Sequence, residues 1–109
     1  MDNNYEELKH MIIYVSEFNK KQLEKLNKTV DRLINWKIKD EDTISAVFDQ
    51  LLSLVFVDQE ELKRIYYKLL NYTKVFNEEL SNDYEEIYLE QMLEQEEKEL
   101  VKENKKPMK

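Results

Sequence analysis

No glycine occurs anywhere in these 109 residues, and the only proline, Pro107, lies at the C-terminal end. Glycine supplies the positive φ that two-residue β-hairpins, many strand–helix connections and phosphate-cradling loops require. A chain without it, with 38% charged residues, is directed toward helices. Its length suits one domain that buries roughly two-thirds of its unfolded surface and folds without metal or disulfide staples. The expected fold is all-α, a small bundle of about four helices in a single domain over residues 1–104, followed by a flexible lysine-rich tail at 105–109.

Apolar residues recurring at helical spacing place those helices at about 4–36, 42–56, 59–80 and 83–104. The centre is a helical hairpin from Asp40 to Ser81, in which Asp40 or Asp42 caps the second helix. Asp58 with Glu61 forms a D-x-x-E capping box that restarts the third after a minimal turn. Ser81, Asn82 and Asp83 supply the cap expected for the fourth. Ile44, Val47, Phe48, Leu51, Leu52, Leu54 and Val55 cover close to half the circumference of the second helix, which marks it as the most buried element. In the first helix Tyr5, Leu8, Ile12, Val15, Leu23, Leu26, Val30 and Leu33 fall within an arc of roughly 80° at 100° per residue. Asn19 and Gln22 interrupt that stripe. Either the seam is partly exposed or bent there, or Asn19 is a buried polar residue that sets the register of a helix pair.

There is no cysteine, which removes disulfides, thiol nucleophiles and cysteine metal sites. The opening MDNNYEELKHMII is acidic where a signal peptide is basic, and the longest apolar run, LLSLVFV, is too short to span a bilayer. A cytoplasmic protein is expected, without membrane contact. Fifteen lysines against two arginines suggest an AT-rich bacterium or its phage. Net charge is +2 over residues 1–39, −6 over 40–83 and −3 over 84–109. Acidity repels nucleic-acid phosphates, so direct DNA or RNA binding is not expected and a basic protein partner is favoured.

Catalytic constellations are hard to write. Glu7 and His10 form the E-x-x-H half-motif that di-iron bundles use twice, but His10 is the only histidine and both side chains point away from the apolar stripe. The carboxylates occur in solvated helical runs with no interior position to perturb their pKa. The expectation is a non-enzyme with no catalytic, cofactor-binding or metal-binding residues.

What remains is recognition. The candidate partner-binding residues are Ile13, Tyr14, Tyr67, Leu89, Met92, Leu93 and Leu100, which lie off the main stripes or on a second apolar face of the fourth helix. That second face either wraps over the first helix or remains for a partner. Val75 also points off its stripe. Asp58, Glu60, Glu61, Glu78, Glu79, Asp83, Glu85 and Glu86 form a candidate acidic face, beside which Tyr66, Tyr67, Tyr72, Tyr84 and Tyr88 either cover the margins of the core or make an adhesive surface. Lys21, Lys25, Lys28 and Arg32 form a basic ridge opposite the first helix's stripe, the ordinary look of a solvated helix face.

The reading these features favour is an acidic, non-enzymatic helical protein that binds another protein as adaptor, regulator or inhibitor. Its most specific version is a phage or mobile-element inhibitor, a DNA mimic that occupies a basic nucleic-acid-binding surface. One alternative is a homo-oligomeric scaffold, with a homodimer as its simplest form. Another is a helix-turn-helix regulator. In that case the third helix would read DNA, although its exposed positions mix Lys63, Arg64, Lys68 and Lys74 with Glu60, Glu61, Glu78 and Glu79.

Overall fold

The structure is a computed structural model that describes the backbone of residues 2–104 and the side chains of residues 4–95. The proposed tail at 105–109 and the side chain of Leu100 lie outside the described residues. Four helices follow one another: α1 Asp2–Asn35, α2 Glu41–Ser53, α3 Gln59–Phe76 and α4 Glu78–Asn104. Among the described residues there is no strand, so the all-α bundle expected from a glycine-free chain is the fold. No described helix is long and apolar enough to cross a membrane.

The α2–α3 hairpin is central. These two helices each pack on all three others, whereas among the described residues α1 and α4 do not pack on each other. Val30, Ile44, Phe48, Leu51, Ile65, Tyr66 and Leu69 are fully or almost fully buried between them. The most extensive single contact is nevertheless α3 on α4, and an aromatic stack builds it. Phe48 stacks on Tyr84 at 4.5 Å, and Tyr66 packs against Phe48 at 5.0 Å and stacks on Tyr88 at 4.8 Å.

The helix ends show how the chain turns without glycine. After α1, Ile38 N–H donates to Leu33 C=O (2.9 Å) and Lys37 N–H to Ile34 C=O (3.2 Å). This is the paired closure of a Schellman motif, with Lys37 in the left-handed position (φ 53°) that glycine usually takes. Tyr72 OH then donates to Ile38 C=O at 2.6 Å and ties the linker to α3. Asp40 caps α2 by accepting from Thr43 N–H (2.9 Å) and Thr43 OH (2.6 Å). These bonds hold its carboxyl below the ordinary carboxylate value.

Three boundaries differ from those read in the sequence. The α2–α3 link is five residues long, Leu54 to Asp58, rather than a minimal turn. Asp58 does cap α3, accepting from Glu60 and Glu61 N–H. Glu61 does not complete the box, because its carboxylate takes the Arg64 guanidinium at 2.8 and 3.1 Å. Between α3 and α4 a single residue, Asn77, breaks the helix and accepts from Leu80 N–H at 3.1 Å. Ser81 is therefore no cap: it is buried and donates to Leu70 C=O at 2.9 Å. A small side chain at that point lets α4 start close against α3.

The radius of gyration is 17.4 Å, against about 13 Å for a compact domain of this length, because α1 outruns the bundle. Its 34 residues rise about 51 Å, which accounts for the 54 Å long axis of the molecule.

Three substitutions test this account by urea denaturation. Leu51→Ala is expected to cost about 2–5 kcal/mol, as a buried truncation that leaves a cavity, while Val75→Ala, at a side chain 84% exposed, stays within about 0.5 kcal/mol. Lys37→Gly is expected to stabilise the chain by roughly 1 kcal/mol, since it removes the Cβ from a left-handed residue.

Candidate functional site

Helices α1 and α3 run parallel. Lys68 Nζ bonds Asn27 Oδ1 (2.8 Å) and Asp31 Oδ1 (2.6 Å), and nearer the other end Lys20 and Asp58 line the same groove. Residues of α1 before Lys20 thus have no α3 beside them and continue for about 27 Å at 1.5 Å per residue. Asn19 marks the departure point. Its side-chain N–H donates to Val55 C=O at 2.8 Å, and Ser16 OH donates to Phe56 C=O at 3.2 Å. The interruption of the stripe at Asn19 is the place where α1 leaves the core and clamps the α2–α3 link. The helix itself is continuous through it.

Helix α4 runs antiparallel to α3, as Ser81–Leu70, Tyr84–Tyr66 and Glu85–Tyr67 contacts fix, and Gln95 lies beside Gln59. Its last turns therefore leave the bundle at the same end as the α1 arm. The result is an open fork. One prong is α1 up to residue 18, the other is the end of α4, and the floor is Val55 and Phe56, both more than half exposed. Phe56 holds a positive φ of 58°, a strained position for a bulky residue.

The inner stripe of α1 continues unchanged onto the arm, where Tyr5 (67%), Leu8 (57%) and Ile12 (42%) are exposed toward the fork. An open groove of about 740 Å³ extends from its base between α1 and α3. Leu23, Val57 and Ile65 lie along it, with Lys20, Lys28, Glu24 and Glu61 around them.

The residues singled out from the sequence are scattered over this frame. Ile13 and Tyr14 are exposed on the arm, on the sides turned away from the fork. Leu89 and Leu93 are exposed on α4, whereas Met92 packs partly against the core. Tyr67 is half-buried, with its hydroxyl donating to Glu85 at 3.2 Å and its ring edge-on to Tyr88. The other tyrosines are likewise structural: Tyr66 and Tyr88 are buried, and Tyr84 OH donates to Asp49 at 3.0 Å. The acidic set is split. Asp58, Glu60 and Glu61 sit at the start of α3, and Glu78, Glu79 and Asp83 lie near its far end, about 27 Å away along the helix.

Sequence reasoning placed Tyr5, Leu8 and Ile12 on the same apolar stripe as Leu23, Leu26, Val30 and Leu33 without separating the exposed part from the buried part, and passed over Phe56, Glu90 and Glu94. Exposed Glu79, Asp83, Glu86, Glu90 and Glu94 follow one another along α4 at steps of four and three, a single carboxylate ridge on the side away from α3. Its signal was present in the sequence, where no cation stands between Lys74 and Lys98. The signal for the arm was the length of the first helix, which none of the others could match. Glu7 and His10 are both on the exposed arm, and among the described residues no three His, Cys, Asp or Glu side chains converge as metal ligands.

Comparison of the chain with protein-family models, with curated proteins and with solved structures finds no match.

Burial raises the Tyr66 hydroxyl above its ordinary value, helped by Tyr84 and Asp49, and burial likewise raises Tyr67, Tyr84 and Tyr88. A raised folded value favours the neutral phenol. Its stabilising contribution is complete below about pH 10, the value for free tyrosine, and is lost as pH climbs above that. The chain is expected to lose stability steeply above pH 10. Tyr66→Phe, which forgoes the 2.6 Å bond to Tyr84 C=O, starts about 1 kcal/mol less stable at neutral pH and declines less steeply in alkali.

Proposed function

We propose that this is a non-catalytic binding protein that recognises another protein through the fork, as an adaptor, regulator or inhibitor. The observation that carries this reading is the apolar stripe of Tyr5, Leu8 and Ile12, which leaves the core on a continuous helix and meets exposed Val55 and Phe56. A contiguous apolar patch of this kind on a charged chain is characteristic of a contact surface. Its geometry suits an amphipathic helix laid against the arm, anchored by residues at three- and four-residue spacing.

The charge of −7 and the carboxylate ridge of α4 favour a basic partner. In its most specific form the protein is an inhibitor that covers a nucleic-acid-binding surface, with the ridge Glu79–Glu94 following the partner's cations. The ridge spans about 22 Å at 1.5 Å per residue, long enough to engage several such cations at once. A helix-turn-helix role fits less well, because the exposed side of α3 sets Glu60 among Lys63, Arg64 and Lys74 and lies beside the acidic start of α4, which repels a phosphate backbone.

Affinity capture from the native host, with salt as the variable, tests the reading. The wild-type chain is expected to retain a basic protein at low salt and release it progressively as salt screens the acidic surface. Ile12→Asp and Phe56→Asp are expected to lose that protein while keeping full helix content by circular dichroism. Retention of the same partner by both variants would remove the fork from the account.

A further inference from the structure

On the side of α1 turned away from the fork, Glu7, Met11, Tyr14, Phe18, Lys21 and Lys25 succeed one another at steps of four and three, and all six are exposed. That alternation averages 3.5 residues, the spacing that keeps side chains on one seam between two coiled helices. The seam lies about a third of a turn round the helix from Tyr5, Leu8 and Ile12. Its charged groups have no ion-pair partner among the described residues, where the only such pairs are Arg64–Glu61 and Lys68–Asp31.

The chemistry of the seam changes in order along the helix: carboxylate at Glu7, apolar at Met11, Tyr14 and Phe18, cationic at Lys21 and Lys25. A surface that reads acid, apolar, base is complementary to itself when reversed. We propose that a second copy of this chain binds here, with the two α1 helices antiparallel about a two-fold axis near residue 16. Tyr14 then packs on the partner's Phe18, Met11 lies along the stem of the partner's Lys21, and Glu7 faces the partner's Lys25. Each contact occurs twice, as two-fold symmetry requires. A parallel pair would instead set the lysines of one copy against the same lysines of the other.

The available area is adequate. Met11, Tyr14 and Phe18 are 63%, 71% and 52% exposed. With on the order of 100 Å² to bury at each, and the lysine stems added, two copies reach roughly the 1,000 Å² that a specific interface needs. This surface is separate from the fork, so the pairing and the recognition of a different protein stand or fall independently.

Sedimentation equilibrium of the full chain from about 1 to 100 µM decides the matter. The wild-type chain is expected to dimerise within that range, more weakly as salt rises. Glu7→Lys and Lys25→Glu, both at exposed positions, are each expected to weaken the dimer by about tenfold, because each reverses a contact made twice. The double variant Glu7→Lys/Lys25→Glu recovers near wild-type association, and Phe56→Asp, on the fork floor, leaves it unchanged. A wild-type chain that is monomeric at about 100 µM overturns the proposal. So does a double variant that associates no better than the single ones.

Discussion

A helix of 34 residues cannot be covered by neighbours of 13 and 18, and the rest of the molecule follows from that mismatch. The core side of α1 is buried only where α2 and α3 lie along it, at Leu23, Leu26, Val30 and Leu33. Beyond Asn19 the same stripe continues into solvent, because nothing in the helix breaks its period and no tertiary neighbour is long enough to reach it. The two polar contacts of Ser16 and Asn19 with the α2–α3 link close the core at the point where apolar packing stops. They also place exposed Val55 and Phe56 against the base of the arm.

The aromatic stack has the complementary role at the other side of α3. Phe48, Tyr66, Tyr84 and Tyr88 fix α4 in register, while Asn77 and buried Ser81 set its start. With the register fixed, the carboxylates at 79, 83, 86, 90 and 94 face away from the core, and the end of α4 emerges beside the arm. Structure and candidate function are thus coupled through a few packed rings. Tyr66, Tyr67, Tyr72, Tyr84 and Tyr88, which from the sequence either cover the margins of the core or make an adhesive surface, pack their rings on the core and satisfy hydroxyls on Tyr84 C=O, Asp49, Glu85 and Ile38 C=O. A phenol with a polar tip can do either, and only the neighbours decide which.

Two surfaces of α1 therefore carry different chemistry. The inner stripe on the arm is apolar and faces the fork, and the outer seam is graded from acid to base. The first suits a partner with its own apolar helix face and the second suits a copy of itself. Neither needs a catalytic group. The solitary His10 stands on the arm, far from the buried core.

The sequence by itself determined the helical class, the number of helices and nearly all of the core, because the absence of glycine and a 3.6-residue period act locally and admit few alternatives; that α1 runs unbroken through Asn19 was settled by the tertiary structure. The cap at Asp58 was legible for the same reason, and that of α2 was narrowed to Asp40 or Asp42, of which Asp40 is the one that accepts from Thr43. Tertiary structure decided which stretches of an apolar stripe are buried, since periodicity gives the direction of a side chain but not whether another helix stands in front of it. It also chose Asn77 over the Ser81–Asp83 cluster as the start of α4, because burying Leu80 and Ser81 against α3 required the break to come before them. The candidate site lies where those two kinds of information part: a stripe continuous with the one that enters the core, on the length of helix that the core does not reach.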